Sequence, residues 1–225
     1  MIAPDVNIIF SVIDASNREH TRTKIFLKRN NRRKFVVLSK VSAHFQTTYA
    51  RYIEDVGSIV ITAVKSYKQN RKATFSLTPK SINQILMPII DKELCKLANE
   101  TSYSLGSLQH FKDLLLGNFS LPHLYNEGIS EFRENSIERA LDISISKLNE
   151  FCAHITRLDF MKLSMYTTFE YFLAQLTLSD YEDRIVYAEC CAYRQEHGAI
   201  SLWTYDNAFK RFIKSNSNKF GVGLV

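Results

Sequence analysis

Glycine and proline are scarce in this sequence, with 7 and 4 residues among 225. A turn-rich β-sandwich or β-barrel needs more of both, because tight turns depend on these residues. The composition is 45% hydrophobic and 23% charged, which is typical of a globular protein and excludes a disordered or fibrous one. We therefore expect a helix-rich protein that forms a single domain over residues 1–225.

The sequence also lacks the cysteine patterns of metal-bound or disulfide-stapled proteins. Its four cysteines have no C-x-x-C spacing and no histidine cluster nearby, so neither a structural zinc site nor a secreted disulfide framework is predicted. No run reaches the roughly 18 apolar residues of a membrane span, and the N-terminus has no signal-peptide pattern. These absences predict a cytoplasmic protein without a membrane partner.

Common catalytic motifs are absent as well. The sequence contains no G-x-x-x-x-G-K-[ST], G-x-G-x-x-G, G-x-S-x-G or H-E-x-x-H motif. Nucleotide hydrolysis, dinucleotide redox chemistry, and serine or zinc hydrolysis therefore have no visible site. What is present is an excess of 29 Lys and Arg over 23 Asp and Glu, a net charge of +6 that favours a polyanionic partner.

The first third of the chain alternates between strand and helix patterns. An apolar, β-branched run predicts a buried strand over residues 2–12, and a second strand is predicted over 34–39. Helical patterns cover 18–31 and, as one or two helices, 40–72. This alternation predicts an α/β fold with a parallel sheet.

The middle of the chain, residues 73–177, reads as a mainly helical insertion. Helices are predicted to begin at Pro79 and to cover 103–116 and 137–158, where apolar residues recur every three or four positions. Pro88 is expected to kink or end the first of these helices.

The last part of the chain returns to the strand and helix alternation. A helix with Ser179 as its N-cap and acids in its first turn is predicted to end at Gly198. A buried strand over 199–204 follows, and after Asp206 a short basic helix over 208–214.

Three aspartates follow or feed these strands. Asp5 and Asp206 lie where predicted strands run out, and Asp183 begins the helix that leads into the second of them. Ligands of open parallel sheets gather at the carboxyl ends of the strands, so the three acids are expected to converge. Clustered carboxylates repel one another unless a divalent cation lies between them, and hard oxygen ligands select Mg²⁺ or Mn²⁺. The alternative is that the acids of a first helical turn only cap the helix.

The order of these fragments resembles the PIN-domain nucleases. That family has an Asp-x-Asn motif after its first strand, matched here by Asp5 and Asn7. It also has an Asp-initiated helix late in the chain, matched by Asp183, and a Thr-x-Asp motif after the following strand, matched by Thr204 and Asp206.

The resemblance covers residues 1–60 and 175–215. It implies a three-layer α/β/α fold with a small parallel sheet, into which residues 73–177 are inserted. It further implies metal-assisted hydrolysis of phosphodiester bonds by an endonuclease that acts on single-stranded RNA rather than DNA, with the three aspartates as catalytic ligands of Mg²⁺ or Mn²⁺. Asn7 and Thr204 would orient Asp5 and Asp206 through hydrogen bonds.

One position departs from the family. PIN nucleases carry a glutamate on the helix after the second strand, whereas the matching turn of this chain offers His44. Three interpretations stay open: His44 is itself a metal ligand, Asp180 or Glu182 supplies the missing ligand, or the site is weakened. A purely structural role for His44 is a fourth.

Basic side chains supply the expected nucleic-acid contacts, although such clusters can also be ordinary solvated surface. The candidates are Arg29, Arg32, Arg33, Lys210 and Arg211, with Trp203 and Tyr205 among the aromatic side chains considered for base stacking. The alternative to a nuclease is a catalytically inactive PIN-like module that binds or scaffolds a complex. In either case a protein inhibitor or complex partner is a further expectation.

Overall fold

The computed structural model describes residues 1–15, 17–70, 79–101, 103–118, 146, 154–158, 160–177 and 180–225. The chain divides into two compact units. The first consists of Met1–Thr47 and Ala140–Val225, and the second of Thr48–Arg139. The elements in chain order are β1 (Ile2–Pro4), α1 (Val6–Ile13), α2 (His20–Arg29), β2 (Lys34–Val37), α3 (Ser39–Asn70), α4 (Pro79–Glu100), α5 (Leu105–Asn118), β3 (His154–Arg157), α6 (Leu163–Gln175), α7 (Tyr181–His197), β4 (Ser201–Trp203), α8 (Asn207–Phe220) and β5 (Gly223–Leu224).

The first unit contains a small sheet of five strands in the order β3-β2-β1-β4-β5. Every pair is parallel, with Ile2 opposite both Phe35 and Ser201. Parallel strands are normally covered on both faces, and Ile2, Ala3 and Leu202 are fully buried. The predicted α/β class with a small parallel sheet is therefore confirmed.

The strand predicted over residues 2–12 is wrong beyond Pro4. The Asp5 side chain accepts a hydrogen bond from the backbone N–H of Val6 at 2.7 Å and caps α1, so the chain turns into a helix after three strand residues. Ile8, Ile9 and Val12 are buried on that helix. Because α1 is apolar almost all round, its residues form a continuous hydrophobic run that cannot be told from a buried strand by periodicity.

The helix predicted over residues 137–158 is wrong at its end. His154–Arg157 forms β3 and pairs in parallel with β2, where Val36 lies opposite Thr156. β3 thereby extends the sheet beyond β2, and its Ile155 and Thr156 are β-branched residues that suit a strand. The earlier part of this predicted helix lies outside the described residues, apart from Ser146, which is helical.

The other elements follow the sequence more closely. The structure confirms β2, α2, α5 and β4, and it forms one helix, α3, where one or two were expected. α4 does not end at Pro88 but continues to Glu100. α7 has Asp180 as its N-cap instead of Ser179, which lies outside the described residues, and α8 extends to Phe220. β5 was not predicted.

The second unit contains the later part of α3 together with α4 and α5. Its described core includes a stacked pair of rings, Tyr52 and Phe111, whose centroids are 4.8 Å apart. A largely buried ammonium, that of Lys112, lies 2.7 Å from the Asp91 carboxylate. Of the helices in the described parts of the chain, none is both long and apolar enough to cross a lipid bilayer.

Candidate active site

The site is built around Asp5, which directly follows β1 and is only 3% exposed. Its Oδ1 accepts the capping bond from Val6, and its Oδ2 accepts bonds from Asn7 Nδ2 at 2.7 Å and from Thr204 Oγ1 at 2.8 Å. Burial raises the pKa of Asp5, while the bonds from Thr204 and Val6 and the nearby His44 act in the opposite direction. The three hydrogen bonds therefore fix the orientation of the buried carboxylate.

Thr204 and Asn7 join the end of β1 to the end of β4. Thr204 Oγ1 donates to Asp5 and accepts from Asn7 Nδ2 at 3.0 Å and from the backbone N–H of Asp206 at 3.1 Å. Asn7 Oδ1 accepts from the backbone N–H of Tyr205 at 3.2 Å. The hydrogen bonds predicted for Asn7 and Thr204 are thus present on the carboxylate of Asp5, whereas Asp206 is bonded to Thr204 through its backbone N–H and not through its carboxylate. The bonds connect Asp5 to the segment that carries Asp206.

Asp206 begins α8 and is exposed at the same edge of the sheet. Its Oδ1 accepts from the backbone N–H of Phe209 at 2.7 Å, as an N-cap does. Because β1 and β4 are parallel neighbours, their carboxyl ends bring Asp5 and Asp206 to one place.

Asp183 reaches this place from the first turn of α7. The helix leads into the start of β4, so its own start lies at the edge where β4 ends. Burial raises the pKa of Asp183 most, and together with the negative charges of Asp5, Asp180, Asp206 and Glu182, in that order, it brings the pKa to about 7. The carboxyl ends of β1 and β4 and the start of α7 therefore place the three aspartates singled out from the sequence at the same edge of the sheet.

The two additional acids of α7 have other contacts. Asp180 caps the helix, since its Oδ1 accepts from the backbone N–H groups of Glu182 at 2.9 Å and Asp183 at 3.1 Å. Glu182 Oε2 lies 2.7 Å from His44 Nε2, which projects from the first turns of α3. His44 therefore borders the acidic cluster and contacts one of its members.

The donor set fits a hard divalent cation. Carboxylate oxygens are the ligands that Mg²⁺ and Mn²⁺ prefer, and such an ion would neutralise the negative charges of Asp5, Asp180, Asp206 and Glu182, which add to the effect of burial on the pKa of Asp183. As placed, no three His, Cys, Asp or Glu side chains in the described part of the chain lie within mutual reach of one ion. Side-chain rotations would therefore have to accompany the binding of an ion by all three aspartates.

One functional acid was missed by sequence reasoning. Glu189 lies on α7 and is fully buried, and its carboxylate accepts bonds from Ser39 N at 2.9 Å, Ser39 Oγ at 2.6 Å and Lys40 N at 2.8 Å. It thereby caps the start of α3, the helix that carries His44. The available signal was a lone acid within the apolar stretch Tyr187-Ala188-Glu189-Cys190.

The basic candidates lie outside this cluster. Arg29 ends α2, Arg32 and Arg33 precede β2, and all three are exposed. On α8, Arg211 is exposed, whereas Lys210 is half-buried and donates from Nζ to the backbone carbonyl of Tyr205 at 3.2 Å. Of these cations, Lys210 is the one tied by a hydrogen bond to the segment between Thr204 and Asp206.

Comparison with known proteins gives no match, since no family model, no curated protein and no solved structure resembles the chain significantly. The likeness to PIN-domain nucleases therefore rests on the motif residues at the carboxyl ends of β1 and β4 and at the start of α7.

Proposed function

We propose that the chain is a Mg²⁺- or Mn²⁺-dependent endonuclease with a PIN-like α/β/α arrangement that hydrolyses phosphodiester bonds of single-stranded RNA. The observation that carries the proposal is the meeting of Asp5, Asp183 and Asp206 at one sheet edge. Asp5 and Asp206 lie close enough to raise the pKa of Asp183. Asp5 and Asp206 also cap helices, but the mutual repulsion of three neighbouring carboxylates costs stability unless a cation offsets it.

In this proposal the three aspartates hold the ion or ions, and the bound metal activates water and stabilises the charge that develops on the phosphate. Asn7 and Thr204 keep one oxygen of Asp5 in a fixed direction. A fixed ligand loses little freedom on binding, which favours a defined ion position.

His44 and Glu182 act beside these ligands. Their contact holds the Glu182 carboxylate at the border of the cluster, where it adds negative charge next to Asp183. Asp180 is engaged as a helix cap and contributes through its charge. Asp5, Asp183 and Asp206 are therefore the primary ligands of the proposal, with Glu182, Asp180 and His44 as further candidates.

The preference for RNA comes from the resemblance to the family, while the net charge of +6 supports a polyanionic substrate in general. The candidate contacts to the substrate are the basic residues of α2, of the turn before β2 and of α8. They are Arg29, Arg32, Arg33, Lys210 and Arg211.

The test is cleavage of end-labelled single-stranded RNA and DNA by purified protein in Mn²⁺, Mg²⁺ or EDTA. We expect cleavage of RNA that requires a metal ion and falls at least about 100-fold in Asp5→Asn, Asp183→Asn and Asp206→Asn, because each removes a charged ligand. Asp113→Asn is the matched control, since this aspartate is exposed on α5 in the other unit.

Absence of cleavage with every metal, alike in the wild type and the aspartate variants, would overturn the proposal. It would favour the inactive PIN-like binding or scaffolding module. Cleavage of DNA alone would keep the metal chemistry and contradict the RNA preference.

A further inference from the structure

A cavity of about 280 Å³ lies in the first unit between α2, the end of β4 and the start of α8. Small-molecule pockets have volumes of about 300 Å³ or more, and this cavity lies at that lower limit. Its volume suits one small planar group with its substituent. It differs from the acidic cluster in charge, because three cations line it, namely Arg22, Arg29 and Lys210, and none of its described lining residues is acidic.

Two of these cations lie over the ring of one aromatic side chain, Tyr205. The guanidinium of Arg22 lies 5.0 Å from the centre of the Tyr205 ring, and Lys210 Nζ lies 5.7 Å from it. Arg22 also has a weak ion pair with Glu19 at 3.5 Å. The charged side chains that line the cavity are all cations, so its lining carries net positive charge.

Most of the remaining lining is apolar. Ile25 is 46% exposed although it is a large hydrophobic side chain, and it lies next to Phe26 and Trp203, whose ring centroids are 4.0 Å apart. An apolar floor with a cationic rim is complementary to a group that has a flat aromatic part and an anionic part.

The cavity also adjoins the aspartates. Thr204 lines it and at the same time donates a hydrogen bond to Asp5, while Tyr205 lines it and donates its backbone N–H to Asn7. A group bound here would therefore lie next to the acidic cluster.

We propose that this cavity binds one nucleotide of a single-stranded nucleic acid. Arg29 and Lys210, with Arg22 beside them, contact its phosphate, and Ile25 and Phe26 contact its unpaired base. The assignment of this nucleotide as a neighbour of the scissile bond rests on the proposed nuclease function; the binding itself does not.

The experiment measures binding without cleavage. Fluorescence anisotropy of a 5′-labelled single-stranded RNA is recorded in EDTA at several salt concentrations, for the wild type and for charge-neutral variants. Arg29→Gln is compared with Lys24→Gln, whose residue lies about 140° away around α2. Lys210→Gln is compared with Lys219→Gln, whose residue lies about two and a half turns further along α8 and on the opposite side of that helix. Within each pair the net charge is the same, and thermal melts verify folding.

We expect Arg29→Gln and Lys210→Gln each to reduce the slope of log affinity against log salt by about 0.7, the value for one phosphate contact on a single strand. At 0.1 M salt this is a loss of about fivefold if the affinity at 1 M is unchanged. Ile25→Ser should lower affinity by a constant factor at every salt concentration, because it removes apolar contact and no charge.

Equal effects within each pair would overturn the inference, since they would report net charge rather than this cavity. A labelled duplex bound as tightly as the single strand would also overturn it, because a paired base cannot enter. Binding with the expected pattern but no cleavage under any metal would leave the inference standing and contradict the nuclease function alone.

Discussion

The hydroxyl of Thr204 uses all of its hydrogen-bonding capacity. It donates to Asp5 and accepts from Asn7 and from the backbone of Asp206, and it is 1% exposed. One side chain therefore joins the ends of β1 and β4, where the candidate ligands Asp5 and Asp206 lie.

Thr204→Val is expected to lower the free energy of unfolding by about 1–3 kcal/mol, because it removes the hydrogen bond donated to the buried Asp5 carboxylate and leaves the backbone N–H of Asp206 without this acceptor. Thr204→Ser keeps the hydroxyl and should retain the network, so it is the control. Urea denaturation of both variants measures the difference. If Val and Ser destabilise equally, the network does not carry the stability assigned to it.

Asp183 makes stability depend on pH with a definite sign. Its pKa is raised from 3.8 to about 7 in the folded chain, so between these values the folded state keeps a proton that the unfolded state has released. The free energy of unfolding contributed by this group therefore falls as the pH rises from about 4 to about 7, and stays at the lower level above that.

Asp183→Asn removes this penalty. In EDTA the variant should have a higher melting temperature than the wild type at pH 8. The difference in melting temperature should be smaller at pH 4.5. Each kcal/mol of added stability raises the melting temperature by roughly 2–4 °C in a chain of this size. Scanning calorimetry at the two pH values tests it, with Asp113→Asn as the control that should show no such gap. A gap that is unchanged with pH would contradict the crowding of carboxylates at this site.

The sequence was sufficient to predict the convergence of Asp5 and Asp206, because both follow strands and parallel strands end at one edge. It was not sufficient to predict that Glu189 caps the start of α3. A glutamate in the third turn of a helix makes no local pattern, and its three bonds to Ser39 and Lys40 join residues about 150 positions apart.

Among the elements, α3 depends on a cap from another helix. Glu189 places a carboxylate against the first N–H groups of α3, where negative charge is favourable. Burial nevertheless raises the pKa of Glu189, and its bonds to Ser39 and Lys40 lower it. The start of α3, and with it His44, is thus held by α7.

Glu189→Gln is expected to lower the free energy of unfolding by about 1–3 kcal/mol, because an amide replaces an acceptor oxygen with a donor that faces other donors. Glu196→Gln, on the exposed end of the same helix, should stay within about 0.5 kcal/mol of the wild type. Chemical denaturation compares them. A cost for Glu189→Gln no larger than for Glu196→Gln would mean that the buried cap does not stabilise α3.

The strand predicted over residues 2–12 and the helix predicted over 137–158 were wrong for a related physical reason. In the run after Pro4 and in the run before Leu158, the outcome was decided by particular hydrogen bonds and not by the spacing of apolar residues. Asp5 caps α1, and β2 offers its edge to His154–Arg157. Periodicity alone carries no information on such contacts.

For the whole molecule, a bound ion links the site to the stability of the fold. A metal at 100 times its dissociation constant stabilises the folded state by about 2.7 kcal/mol, which corresponds to a rise of roughly 5–11 °C in melting temperature. We expect Mn²⁺ to raise the melting temperature of the wild type and to have a much smaller effect on Asp183→Asn, as measured by differential scanning fluorimetry. Equal shifts in both proteins would place the ion elsewhere.

At this scale the α/β class could be predicted, because strand and helix patterns alternate at both ends of the chain. The division into Met1–Thr47 with Ala140–Val225 and Thr48–Arg139 could not, since α3 runs through the boundary without a break in its pattern. The predicted single domain with an insertion over 73–177 stays a prediction.

Anomalous scattering of Mn²⁺ in crystals of the protein locates a bound ion directly. We expect one or two peaks within about 2.5 Å of carboxylate oxygens of Asp5, Asp183 and Asp206. We expect these peaks to be lost in Asp183→Asn crystals grown in the same way. Peaks only at other carboxylates, or none at saturating Mn²⁺, would contradict this expectation.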